Sequence, residues 1–402
     1  MGSNKFQSSS AISKGLGNAL NVIADIGSLP PIMGTWFFVD TGDGSDDADG
    51  RSVAHPLATL EAAYDKCISG RGDGIAYFCP ADASSSNSLS VTHTLTWAKW
   101  GITLFGMSKG CGYMSRNRIT TSTITTTATL TVPTAGLTIT RAAGSFITDG
   151  WVVGMQGICA GGHTDTFTVS AVEALTLTIS VAITASAGGI TSITSYIPTM
   201  IDMTGSNNCF MNMYIANEGT QALSLVGVTV HANRNKFENC HFRAAFTTNT
   251  LSVADGCPVL IDTASETEFK HCWFGDNNAV RTAAQGNVRC TGVQGQNFFE
   301  DCYFLQDSAT SDCCAVRFDE ADTIGGQIFF KRCSINNWRV NKGAILSTSA
   351  IYIVGASSNN KGILIDSCAM YGYTSWCNVA GTAFIANSSV DASGTGGIAT
   401  SS

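Results

Sequence analysis

The sequence predicts an all-β fold: a parallel β-helix solenoid with an N-terminal capping helix and one small inserted β-module. Three observations predict it. First, a short phrase recurs, as Asn-Lys-Phe-Glu-Asn-Cys-His-Phe at 235–242, Thr-Glu-Phe-Lys-His-Cys-Trp-Phe at 267–274 and Asn-Phe-Phe-Glu-Asp-Cys-Tyr-Phe at 297–304. Weaker copies stand at 208–215 (Met213 in place of Cys), 328–335 and 363–370. Their leading apolar residues, Phe210, Phe237, Phe269, Phe299, Phe330 and Ile365, lie 27, 32, 30, 31 and 35 residues apart. A quasi-period in this range means stacked units. Second, most repeats carry an upstream apolar pair at i and i+2, namely Val228/Val230, Val259/Ile261, Val288/Cys290, Val316/Phe318 and Ile351/Ile353. That is the period of a strand with one face buried. Third, charged residues are only 13%, and 42 glycines accompany abundant Ser, Thr and Asn, the balance of a β protein with many turns. Leucine-rich repeats are the rival architecture, but their Leu-x-x-Leu-x-Leu-x-x-Asn phrase is absent. Two or three short strands per turn describe a β-helix coil.

Stacking places equivalent positions about 4.8 Å apart. The Phe column and the Cys column (Cys240, Cys272, Cys302, Cys333, Cys368) are then interior. Glu238, Lys270, Glu300, Lys331 and Asp366 alternate in sign down the stack, which suits an outward ladder of exposed ion pairs. Tyr214, His241, Trp273 and Tyr303 follow the Cys position and are expected to point outward. A subunit contact is the favoured role for these rings; a glycan platform and ordinary exposed rings remain the alternatives.

Composition excludes several classes. Net charge is −8 with no basic run, so nucleic acid is not an expected partner. No segment is long enough to span a bilayer. The cysteine count is 15, an odd number without CxxC modules or a signal peptide. Reduced, buried thiols made in a cytosol are therefore expected, including the adjacent pair Cys313-Cys314. Met1-Gly2 does not open a myristoylation phrase, because Phe6 stands where Ser or Thr is required.

In chain order, residues 1–33 belong to no repeat and read as an anchoring segment, a disordered terminus being the alternative. Residues 34–117 hold the cap and first coils. Gly34-Thr-Trp-Phe-Phe-Val-Asp40 is a strand; Pro56–Cys67 has apolar residues at 57, 60, 63, 64 and 67, a helical spacing; Gly72–Pro80 supplies another strand. A strand ending in Val-Asp, a Gly/Asp loop, Ala-Thr-Leu with a short helix, then Gly-Asp-x-Ile resembles the N-terminal cap of phage right-handed β-helix proteins of the pectate-lyase-like type. In that family a helix plugs the open end of the coil. Residues 118–197 are Thr-rich and alternating, as in Leu137–Thr140, Phe167–Val169 and Leu175–Ile179, around Gly144–Met155, with His163-Thr-Asp165 at a turn. They resemble a small β-barrel-like module found in many phage structural proteins, inserted between coils. Coils resume over 198–390, and 391–402 is a Gly/Ser tail.

The resemblance implies a bacteriophage virion structural protein, made in the host cytoplasm. It would be a homotrimeric spike, head fibre or decoration that stabilises the particle or adheres to the host surface. Residues 1–33 would attach it to capsid or tail proteins, and a host surface glycan is a further candidate partner. A tailspike depolymerase cleaving host polysaccharide is the alternative. A β-helix glycosidase needs two carboxylates about 5 to 9 Å apart. The candidates are Asp319, Glu320 and Asp322 with Asp262 and Glu266, though Asp and Glu also sit at turns for local reasons. No Gly-x-Ser-x-Gly phrase is present, and a non-enzymatic role is expected. No cofactor is implied. Ser45, Asp47, Asp49 and Gly50 fit part of a Ca²⁺-loop phrase, but Pro56 occupies the position of the bidentate Glu, so a plain Asp/Gly turn is the favoured reading.

Overall fold

The structure is a computed structural model. It describes residues 30–388 apart from 80–88, 108–116, 133–135, 162–164, 184–188, 220, 244–252, 254, 309, 311, 320–323, 340–346, 355–361 and 380–382. The chain winds as a right-handed parallel β-solenoid with three sheets of ten, eight and eight strands. One coil shows the pattern. Cys209–Met211 lies in sheet 1, Tyr214–Ala216 in sheet 2 and Val226–Val230 in sheet 3. Lys236–Glu238 then returns to sheet 1, paired parallel to Cys209–Met211.

The register follows from the repeats. Phe210, Phe237, Phe269, Phe299, Phe330 and Ile365 are consecutive partners in sheet 1, and all lie in the core. Their rings stack almost face to face, Phe237–Phe269 at 4.9 Å, Phe269–Phe299 at 5.1 Å and Phe299–Phe330 at 4.9 Å. Those spacings match the distance between hydrogen-bonded strands, so strand pairing and ring stacking share one repeat. Phe242, Phe274 and Phe304 form a second stack from sheet 2. Edge-to-face contacts join the two, as between Phe269 and Phe274.

Two kinds of bend close each coil. Sheet 1 turns into sheet 2 through one left-handed residue, Asn212, Asn239, His271, Asp301, Arg332 or Ser367, with φ between +51° and +57°. From Asn239 onward a Cys comes next. Its Sγ–H donates to a carbonyl of the previous coil, Cys240 to Phe210, Cys272 to Phe237, Cys302 to Phe269 and Cys333 to Phe299, at 3.3–3.4 Å. A thiol is small enough for this inside corner and adds a weak bond to a carbonyl of the neighbouring coil. At the bend from sheet 3 to sheet 1, buried Asn208, Asn235 and Asn297 brace neighbouring coils. Each Oδ1 accepts from a backbone N–H of the coil before, of Ile102, Asn208 and Thr267 respectively.

The first turn is covered by a helix, Leu60–Lys66, whose N-cap Thr59 accepts from Ala62 N–H. Leu57, Leu60, Ala63 and Cys67 join Phe37, Val39, Ile75 and Tyr77 in the core. Asp46 holds the helix start, its carboxylate accepting from the N–H groups of Ala58 and Thr59 and from the Thr59 hydroxyl.

Between Arg118–Thr121 of sheet 2 and Thr199–Met203 of sheet 3, the chain leaves the solenoid and builds a closed six-stranded antiparallel barrel. Its strands are Thr125–Thr131, Thr138–Arg141, Gln156–Gly161, Thr166–Val172, Thr176–Ile179 and Ile190–Tyr196. The barrel has its own core, including Ile139, Phe146, Trp151, Phe167, Leu177 and Ile193. Trp151 Nε1 donates to Thr126 Oγ1, which in turn donates to Asp149.

The interior stack predicts an asymmetry between adjacent residues. Phe269→Ala should cost about 3–5 kcal/mol of stability, whereas Lys270→Ala, on the outer face, should cost less than about 1 kcal/mol. Urea midpoints of the two variants decide it; equal costs would show that the stack does not carry the coil.

Candidate functional site

Each sheet presents an outer face. On sheet 2, Tyr214, His241, Trp273 and Tyr303 are consecutive partners, in contact at 5.2, 5.3 and 4.8 Å between ring centroids. The four rings do not form an exposed platform, which corrects the expectation from the sequence. Tyr214 is wholly buried and His241 is 9% exposed, while Trp273 is 42% exposed. The reason is that arginines cover Tyr214, while His241 is enclosed by its ring neighbours and a backbone carbonyl. Arg243 donates to the Tyr214 hydroxyl at 2.8 Å and pairs with Asp276. Arg118 sits over the Tyr214 ring and reaches Glu218 at 3.9 Å. His241 Nε2 lies 3.2 Å from the Gly275 carbonyl. Burial pushes the His241 pKa down to about 4 and the Glu218 carboxyl up.

The outer face of sheet 3 collects the charged groups. His231, Asp262, Thr291 and Asp319 follow the second apolar residue of successive coils, whose register is Val230–Ile261–Cys290–Phe318. His231 lies between two carboxylates, with Nε2 3.1 Å from Asp202 Oδ1 and Nδ1 3.1 Å from Asp262 Oδ2. Thr291 Oγ1 donates to Asp262 at 3.0 Å. Asp319 accepts from Arg289 at 2.6 Å and 2.9 Å and from Arg317 at 2.7 Å. Arg289 also pairs with Asp255 at 3.0 Å.

Of the acids singled out in the sequence, Asp262 and Asp319 therefore share one column, two strands and roughly 9–10 Å apart by strand spacing. Glu266 does not join them. It occupies a left-handed bend (φ +57°) and pairs with Arg234 at 2.5 Å, which holds its carboxyl below the usual range. Glu320 and Asp322 lie outside the described residues, as does His163. Sequence reasoning missed Asp202, His231 and Arg289. Their signal was the alignment itself, since His231 stands in the Asp262 column and Arg289 two positions earlier in its own coil.

The acidic loop is a brace for the cap. Asp47 and Asp49 are exposed; Asp47 N–H donates to Ser45 Oγ, and Asp49 accepts from Arg51 N–H. Among the described residues no three His, Cys, Asp or Glu side chains gather as a metal cage.

Sheet 1 changes character along its length. Its outward columns begin as a charge ladder, with Lys236 at 3.2 Å from Glu238 and Lys270 at 3.8 Å from Glu300. In the last coils one column becomes Phe298, Phe329, Leu364 and Phe384. Phe298 and Phe329 stack at 4.7 Å, and Phe384 is 63% exposed. Together with Glu300, Lys331 and Asp366 they line an open groove of about 690 Å³.

No protein-family model matches the chain, and no curated protein matches it by sequence. Among solved structures the chain is similar to pectin methylesterase PemA from Erwinia chrysanthemi, at 10% identity and a TM-score of 0.38, over 87% of this chain and 82% of that one. It is similar to pectate lyase Pel9A, at 9% identity and a TM-score of 0.38, over 88% and 79%. It is also similar to the tailspike gp61 of Pseudomonas phage phi297, at 9% identity and a TM-score of 0.21, over 87% and 72%.

The buried imidazole sets a pH dependence. Unfolded His241 takes up a proton near its ordinary 6.5, folded His241 only near 4, so the unfolded state binds more protons between these values. The stability held in neutral His241 is complete above about pH 6.5 and is lost as pH falls towards 4, to the extent of about 3 kcal/mol. His241→Phe should flatten this part of the profile in urea unfolding followed from neutral to acidic pH; an unchanged slope would contradict it.

Proposed function

We propose that this protein is a structural β-helix of a bacteriophage particle, a homotrimeric spike, head fibre or decoration. Residues 1–33 grip a capsid or tail protein, and the solenoid stabilises the particle or contacts the host surface. The observation that carries this reading is the apolar column Phe298–Phe329–Leu364–Phe384 on the outer face of sheet 1. An exposed apolar strip rimmed by charges marks an association surface. Its position on a lateral face, facing away from the coil interior, suits side-by-side packing of solenoids. The resemblance of the cap and of the inserted module to phage β-helix proteins supplies the particle. The clamped state of Asp319 favours a structural role for the acids of sheet 3.

A second reading has its own observation. His231 between Asp202 and Asp262, with Asp319 further down the column, is an acid–base constellation on an open face. It suits a hydrolase acting on a host surface polysaccharide.

Light scattering tests the first reading. The full chain and a chain beginning at Gly34 should both measure as trimers, and Phe329→Asp should measure as a monomer. A monomer for the unaltered chain would sink the trimer. For the second reading, incubation with host capsular polysaccharide should release new reducing ends, a rate that Asp262→Asn lowers by about 100-fold or more. An absence of new reducing ends across host polysaccharides would remove it.

A further inference from the structure

A second concavity lies at the start of the solenoid, where the cap helix, the first strand of sheet 3 and the barrel meet. It has a volume of about 530 Å³, within the usual range for small-molecule sites, which favour junctions of this kind. Glu61 and Tyr64 come from the helix, His93 and Trp97 from the segment entering sheet 3, and Gly154 and Gln156 from the barrel. Three of these residues carry a buried polar atom with no hydrogen-bond partner: Glu61 Oε2, His93 Nδ1 and Trp97 Nε1. Trp97 is only 1% exposed, packed against Tyr64 at 4.4 Å and Phe210 at 4.8 Å. Buried polar atoms of folded proteins are nearly always paired, and three orphans in one lining call for a partner.

We propose that this cleft binds a neutral, hydroxyl-rich ligand of the size of a sugar residue. The chemistry of the lining selects the class. A carboxylate oxygen accepts, an indole N–H donates and an imidazole nitrogen does either, and a hydroxyl complements all three. The half-buried Tyr64 ring adds an aromatic wall. The cleft's carboxylates, Glu61 and Asp65, disfavour acidic ligands. The nearby cation, Lys99, is engaged by the carbonyl oxygens of Tyr64 and Asp65 at 2.6 and 3.0 Å. Because Gly154 and Gln156 belong to the barrel, a bound ligand bridges barrel and solenoid.

The indole N–H resonance of Trp97, assigned with Trp97→Phe, reports directly on the cleft. In titrations with glucose, galactose and N-acetylglucosamine, at least one sugar should shift it saturably, and glucuronate should not. Glu61→Gln should weaken that affinity about ten-fold, because a neutral amide oxygen accepts more weakly than a carboxylate. Gln156→Trp, a change on the barrel side that leaves the cap helix intact, should abolish it by filling the space. No saturable shift with any neutral sugar overturns the proposal, as does a shift that both variants leave unchanged. An equal response to glucuronate overturns the ligand class.

Discussion

Everything in this molecule depends on one coincidence of length. Parallel strands hydrogen-bond at about 4.8 Å, and aromatic rings stack at nearly the same distance, as Phe269 does with Phe299. When the same residue type returns at the same point of each coil, backbone pairing and side-chain packing reinforce each other. The Asn braces and the thiol at the inside corner follow the same rule, because each bonds a backbone group of its neighbour. A coil alone could bury none of this; stability arises between coils.

The outer faces are freed by that arrangement to diverge. Sheet 1 carries charges early and phenylalanines late, sheet 2 hides Tyr214 under arginines, and sheet 3 gathers Asp, His and Arg. The interior columns fix only alternate positions of each strand, so the remainder can change without disturbing the register. The mixture of a charge ladder, a covered ring column and an apolar groove on one scaffold is a consequence of this independence.

The fold was legible because its signal is repeated. Phe237, Phe269 and Phe299 announce a column, and Val228/Val230 with its counterparts announces another. The ring column shows where legibility ends. Position after the Cys does place Tyr214 and His241 on the outer side of sheet 2, but exposure depends on Arg118, Arg243 and Gly275, which come from other strands. Long side chains folding over a neighbour leave no periodic trace. The sheet 3 constellation was half legible. Asp262 and Asp319 could be read as acids in turns, yet His231 looks unremarkable until the coils are aligned with Asp202 and Asp262 on either side. Glu266 was misplaced because two successive positive-φ bends, at Thr263 and Glu266, turn the chain away from the face that Asp262 occupies.

The barrel has a consequence for how the coil that carries it can close. The chain leaves sheet 2 after Thr121 and rejoins sheet 3 at Thr199, whereas the next coil makes the same crossing between Ala216 and Val226. As a flexible loop the longer connection would add about 2 kcal/mol of closure entropy. The barrel removes that difference by bringing its own ends together: Ser195 N–H donates to the Ile124 carbonyl at 2.8 Å, and Ile124 N–H donates to Ser195 Oγ at 2.7 Å. To the solenoid, a guest tied at its stem is equivalent to a short turn. The corner between sheets 2 and 3 thus accepts a complete folded unit without lengthening the walk from one strand to the next.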